Sequence, residues 1–243
     1  MGDTGFVAAA LIGAEGGIIS SNFAPVMVEG ARRRAEELGI ANVDFRVIDA
    51  ENIDWASESV DGVICRWGYM LVSNPGAALK ETRRVLKSGG RLGLSVFSGP
   101  EQNPWAALPA KALVAGGFME APAPGSPGIP ALGDKERLKS LLTEAGFTEQ
   151  LIEEVPITWR QRDLEDYWRF LTEVAGAIAA LIESLPPEGQ EKAKESIRRA
   201  VSSFQTESEI ASPGVTLNVL ARELSICDSD FESASVQNRL RHL

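Results

Sequence analysis

Two glycines three residues apart open the chain, Gly2-Asp3-Thr4-Gly5, directly ahead of the apolar run Phe6 to Ile12. Such a loop lets the backbone approach a ligand closely, and a helix beginning there points its free N–H groups at it. Taken alone the pattern also describes a simple turn. Further along, polar side chains stand directly after short β-rich runs, where an α/β sheet presents its ligands. These are Asn22 after Ile18-Ile19-Ser20-Ser21, Asp49 after Val43 to Ile48, and Arg66 after Val60 to Cys65. Asn22 offers a carbonyl acceptor without charge and equally suits a turn. Asp49 fits a ligand contact or a loop cap, and Arg66 fits a carboxylate partner or a surface ion pair.

Hydrolytic machinery is missing from this set. The only histidine is His242, close to the C-terminus, which removes a histidine base from consideration. Tyr69 and Asp61 are the remaining candidate bases, and structural roles suit both. Cys65 and Cys227 form neither a CxxC nor a metal-ligand spacing, so no metal site and no disulfide framework is expected. Positioning and binding chemistry is what these residues can do, and no residue stands out as catalytic.

Elements that must position them follow from periodicity. Strands are expected at residues 17–21, 43–48 and 60–65, alternating with helices that begin at Pro25 and that run through Leu79, Thr82 and Leu86 to Ser88-Gly89-Gly90. The alternation of residues 43–48 predicts a strand near a sheet edge, and the continuous apolar run at 60–65 predicts one buried on both faces in mid-sheet. Residues 91–97 form another strand, and this βαβ order builds a parallel sheet covered by helices. A helix through Trp105 to Val114 leads into a Pro- and Gly-rich loop at 121–130. Asp134 opens a helix that ends at Gly146, and a strand follows at 150–159. Residues 163–185 carry one broad apolar stripe with Asp163 as cap, and a second helix covers 188–204. Residues 215–221 return as the last strand, and the polar stretch from about Glu223 to Leu243 predicts a disordered tail.

Composition narrows the partners. A formal net charge of -10 with scattered basic residues leaves no stripe for phosphates, so nucleic acid is not expected. The opening apolar run is too short for a membrane span and lacks the flank of a signal peptide, so a cytoplasmic protein without membrane partner is expected. Oligomeric state is not legible.

Three segments in order carry a family resemblance: residues 42–51, Ser59-Val60-Asp61-Gly62-Val63-Ile64, and Arg84-Val85-Leu86-Lys87-Ser88-Gly89-Gly90-Arg91-Leu92. Together they resemble the class I S-adenosylmethionine-dependent methyltransferases of the ubiquinone-biosynthesis-like type, from Gly2 to about Trp105 and more loosely from Asp134 to Ala221. The resemblance implies an α/β, Rossmann-like sheet, mostly parallel with a reversed last strand, and S-adenosylmethionine as cofactor. Under it, Gly2, Asp3, Thr4 and Gly5 are the second half of the cofactor loop, and the chain starts inside that loop without the usual first strand. Asn22, with Phe23 beside it, takes the place of the acidic residue that meets the ribose hydroxyls, a departure that predicts weaker binding. Asp49 and Ala50 would meet the adenine, and Arg66 would lie near the methionine end and the acceptor.

The expected organisation is a single methyltransferase domain over residues 1–222 with a helical cap insert at about 160–206. Trp159, Tyr167, Trp168 and Phe170 could line an apolar acceptor pocket, but aromatic residues at helical spacing more often form plain core. The expected activity is methyl transfer to a small-molecule acceptor by in-line displacement. A truncated relative that binds without catalysis is the second reading, because loss of a central strand would leave both its neighbours without hydrogen-bond partners. A nicotinamide-dependent oxidoreductase ranks third, since Tyr69 and Tyr167 are followed at the relevant spacing by Ser73 and Leu171 rather than lysine.

Overall fold

The computed structural model describes residues 1–13, 15–123, 125–173 and 177–223. Residues 224–243, with the expected disordered tail, His242 and Cys227, lie outside the described residues. The chain divides into two compact units. One comprises Met1–Val96, Glu136–Glu153 and the segment from Asn218, the other Phe97–Lys135 and Glu154–Leu217.

The first unit opens with helix α1 (Asp3–Ile12), strand β1 (Ile18–Asn22), helix α2 (Pro25–Leu38) and strand β2 (Val43–Val47). Pro25 starts α2 at its first turn, Val28, Ala31 and Ala35 are its buried face, and Gly39 at φ 68° closes it by donating to the Ala35 and Glu36 carbonyls. Parallel β1 and β2 pair from Ile18 with Val43 to Asn22 with Val47. They form a two-stranded sheet of their own, so β2 is an edge strand, as its alternation predicts.

Strand β3 (Val60–Arg66) and helix α3 (Pro75–Val85) lead into β4 (Leu86–Phe97), which pairs parallel with β3. Asn74 caps α3, its side chain accepting the Ala77 N–H at 3.0 Å. The expected helix stop at Gly89-Gly90 is displaced: α3 ends at Val85, and the glycines lie inside β4. Val60 pairs with Leu86 and Gly62 with Arg91, so the strand bulges between them, with Gly89 at φ +75°. A Cβ on Gly90 would stand 2.8 Å from the Lys87 carbonyl oxygen, so the bulge itself requires the glycine.

Helix α5 (Lys135–Glu144), β5 (Phe147–Gln161) and β6 (Ile210–Glu223) complete the second sheet, whose order is β3-β4-β6-β5. The Thr148 hydroxyl reaches the Arg222 carbonyl and the Thr216 hydroxyl reaches the Val155 carbonyl, so β6 runs antiparallel to β5. Glu223 lies at Gly89 and Val215 at Ser98, so β6 is reversed against β4 too. The mixed α/β sheet with its last strand reversed is therefore the observed fold.

One expectation about β3 fails. It stands at the end of its sheet, none of its residues is fully buried, and Ile64 is 51% exposed. Its apolar run is that of an interior strand, yet among the described residues no strand pairs with its outer edge, nor with the edge of β1 away from β2. No described strand precedes α1, which packs against both β1 and β3.

The second unit contains α4 (Pro104–Ala115), α6 (Leu164–Glu173), α7 (Ala177–Ser184) and α8 (Pro187–Val201). The stripe expected as a helix over 163–185 is helical at Leu164–Glu173 and Ala177–Ser184, and residues 174–176 lie outside the described residues. Leu113, Tyr167, Leu171, Ile182, Ile197 and Ile210 form its core. Each such aliphatic side chain stabilises the fold by about 1.5–3 kcal/mol. Tyr167 satisfies its hydroxyl by donating to the Trp105 carbonyl at 2.7 Å. Trp159 stacks between Trp105 at 4.5 Å and Phe170 at 5.5 Å, and Trp168 packs partly buried against the core. All four aromatic candidates thus contribute to packing.

Candidate functional site

Gly2 adopts φ 81°, and a Cβ there would lie 2.4 Å from the Phe6 ring. Only glycine fits both conditions, so the turn into α1 depends on it. Gly2 caps α1 without any side-chain hydrogen bond, and Thr4 is half-buried in the first turn. The N-terminal turn therefore offers its N–H donors and the positive end of the helix dipole to a ligand. At Gly5, α1 faces β1, and a Cβ there would make ordinary contact with the Ser20 hydroxyl at 3.5 Å and the Ile18 side chain at 3.8 Å.

Asp3 is surrounded by positive charge. Its Oδ1 lies 2.7 Å from Arg34 Nη1, and its Oδ2 lies 3.4 Å from the terminal ammonium and 4.0 Å from Arg66 Nη2. The hydrogen bond from Arg34 holds the Asp3 carboxyl below the usual carboxylate range, partly opposed by desolvation. Arg66 is the last residue of β3, and its guanidinium sits 4.7 Å from the Trp67 ring. Trp67 itself takes φ 61° while donating its N–H to the Ser95 carbonyl at 2.8 Å, a left-handed conformation directly at the strand end. Such backbone costs about 1–3 kcal/mol and concentrates where strand ends carry function.

At the ends of β1 and β2 the polar groups are arranged by local turns. Asn22 Oδ1 accepts the Ala24 N–H at 3.0 Å, and the Asn22 carbonyl accepts the Ile48 N–H at 3.1 Å, which ties the two strand ends together. Phe23 projects outward, 72% exposed. Asp49 Oδ1 accepts the Glu51 N–H at 2.9 Å; its side chain is exposed and Ala50 half-buried. The structure thus joins the α1 turn to the end of β3 through Asp3 and Arg66, and the end of β1 to the segment before Asp49 through the backbone.

Residues without a motif hold this arrangement. Arg34 of α2 reaches Asp3 and also donates to the Met1 carbonyl at 2.8 Å. Glu51 Oε1 accepts the Ser73 and Asn74 N–H groups at 2.7 and 3.0 Å, fixing the segment after Asp49 to the start of α3. Arg84 pins the following loop, donating to the Ile53 and Trp55 carbonyls at 2.6 and 2.8 Å. Glu51 follows a strand-end aspartate and could have been picked from that signal; Arg34 and Arg84 are surface-type basic residues in helices and carry none.

Neither candidate base faces the site in a usable form. The Tyr69 hydroxyl is buried against Thr82, and burial raises its pKa well above the usual tyrosine range. Asp61 is exposed near the start of β3, away from Arg66, and pairs with Lys87 at 2.7 Å. Burial likewise pushes the Cys65 thiol up. An open groove of about 870 Å³ lies at the far end of α1, lined by Ala9, Gly13, Ile18, Asn42 and Asp44, not at the strand ends just described.

The family model for a methyltransferase domain matches residues 1–146. The chain is 32% identical over 163 residues to the ubiquinone/menaquinone biosynthesis C-methyltransferase of Pseudomonas putida strain F1, with 60% of this chain and 62% of that protein covered. A demethylmenaquinone methyltransferase of Paenarthrobacter aurescens is 30% identical over 141 residues, covering 54% of each. The chain therefore spans about three fifths or less of the length of these relatives. A crystal structure of a Bacillus halodurans protein aligns at TM-score 0.56 and 21% identity over 85% of this chain and 83% of that one. The YcgJ protein of Bacillus subtilis aligns at 0.55 and 17%, over 86% and 83% respectively. These solved structures share the fold, and the chain belongs to the class I S-adenosylmethionine-dependent methyltransferase family.

Proposed function

We propose that this chain binds S-adenosylmethionine across the turn Gly2-Asp3-Thr4-Gly5 and the carboxyl ends of β1, β2 and β3, and transfers its methyl group to a small, largely apolar acceptor. The observation that carries the reading is the first turn of α1: a glycine at φ 81°, no side-chain cap, and Arg66 within 4.0 Å of Asp3. Uncapped N–H donors beside a guanidinium suit a ligand with a carboxylate.

In this reading Asp49 and Ala50 meet the adenine, Asn22 and Phe23 the ribose, and Arg66 the methionine carboxylate. Asn22 supports the ribose only through lone-pair capacity left after its bond to Ala24. When bound, S-adenosylmethionine supplies an already activated sulfonium methyl group. The acceptor's nucleophilic atom forms the new bond to carbon as the carbon–sulfur electron pair returns to sulfur, and any proton on that atom leaves to water. Placement supplies most of the acceleration in such a step. The states of Tyr69 and Asp61 suit a reaction that relies on neither as base.

The named reactions of the relatives favour an apolar, ring-bearing acceptor, and demethylmenaquinone is a suitable first probe. The chain is incubated with methyl-labelled S-adenosylmethionine and demethylmenaquinone, alongside apolar phenols and amines. Label extracted into the organic phase is the expected result. A second reading, binding without catalysis, draws on the edges of β1 and β3 that no strand among the described residues pairs with. Intact cofactor binding with no label transferred to any acceptor favours it.

A further inference from the structure

Two residues one turn apart on α2 face the opening turn. Gly30 faces the Met1 side chain, whose sulfur would lie 2.6 Å from a Cβ there. Arg34 then makes three contacts with the segment: Asp3 Oδ1 at 2.7 Å, the Met1 carbonyl at 2.8 Å, and the Phe6 ring, whose centroid lies 5.8 Å from the guanidinium carbon. Asp3 is the one acidic side chain in the first turn of α1. Beside it, at 4.0 Å, Arg66 is held only loosely.

We propose that Arg34 is a positioning residue that keeps Asp3 from competing with the carboxylate end of the cofactor. This inference rests on the cofactor site proposed above. With Arg34 engaged, Asp3 is neutralised and turned toward α2, and Arg66 stays available to a ligand carboxylate. Without Arg34, Asp3 pairs with Arg66 instead. The site then loses its free cation to that pair, and its net charge becomes one unit more negative. The loss falls on ligands that carry the amino-acid portion and spares those that lack it.

The test is calorimetric titration of the full chain with S-adenosylhomocysteine, which has the carboxylate, and with 5′-methylthioadenosine, which has none. Arg34→Ala is expected to weaken S-adenosylhomocysteine by about tenfold, the scale of one charged hydrogen bond. It should change methylthioadenosine by less than about twofold and leave the melting temperature close to wild type, as for an exposed ion pair. Adding Asp3→Asn to Arg34→Ala should restore most of the lost affinity, because the competing charge is gone. Equal losses for both ligands, no loss, or no recovery in the double variant each overturn the proposal. A wild-type chain that binds neither ligand instead overturns the cofactor site itself.

Discussion

Asn22 Oδ1 accepts the backbone N–H of Ala24 at 3.0 Å, so the side chain expected to meet a ribose is already committed to the turn that starts α2. An aspartate fits the same turn and adds charge. Charge-assisted hydrogen bonds are roughly twice as strong as neutral ones. Asn22→Asp is expected to tighten S-adenosylhomocysteine by about 1 kcal/mol, roughly fivefold, in calorimetric titration. Unchanged or weaker binding removes Asn22 from the ribose site.

Gly2→Ala tests the turn into α1. The substitution places a side chain at φ 81° and drives a Cβ to 2.4 Å from the Phe6 ring. The left-handed conformation alone costs about 1–2 kcal/mol. A lowered melting temperature together with at least about tenfold weaker binding is expected. Normal binding with a lowered melting temperature makes Gly2 a folding residue only.

Asp3 sets an acid limit. Its pKa is depressed in the folded chain by the Arg34 hydrogen bond, so the ion pair is fully present at and above the usual carboxylate range and is lost as pH falls through the depressed value. The gap in S-adenosylhomocysteine affinity between wild type and Arg34→Ala should be constant from neutral pH down to about pH 5 and should close only in stronger acid, where Asp3 loses its charge. A titration with its midpoint near neutrality contradicts this.

Tyr69→Phe removes the hydroxyl that meets Thr82, while Thr82 keeps its bond to the Ala78 carbonyl at 2.8 Å. A stability loss of about 0.5–1.5 kcal/mol by denaturant unfolding is expected, with cofactor affinity unchanged. A change in affinity without a change in stability would place Tyr69 at the ligand.

The order of elements was legible from residue spacing because β1, α2, β2 and α3 each carry their own local signals. Pro25 and Gly39 bound α2 as their backbone preferences require. What failed depended on neighbours. Residues 60–65 read as a central strand, but whether a strand is central depends on what pairs with it, and among the described residues nothing pairs with the outer edge of β3. Gly89-Gly90 read as a helix stop because a glycine pair suits either a stop or a bulge, and the register with β3 decides. Within the proposed site, Gly2, Asn22, Asp49 and Arg66 were legible from their places after strands or before a helix. Arg34 was not, since its role comes from a contact 31 residues away in sequence with Asp3.

Calorimetric titration of the chain with S-adenosylmethionine addresses the central claim most directly. The account predicts saturable heat with one site per chain, abolished or strongly weakened by Asp49→Ala and by Arg66→Ala. No heat at millimolar ligand, or heat that neither substitution alters, would contradict it.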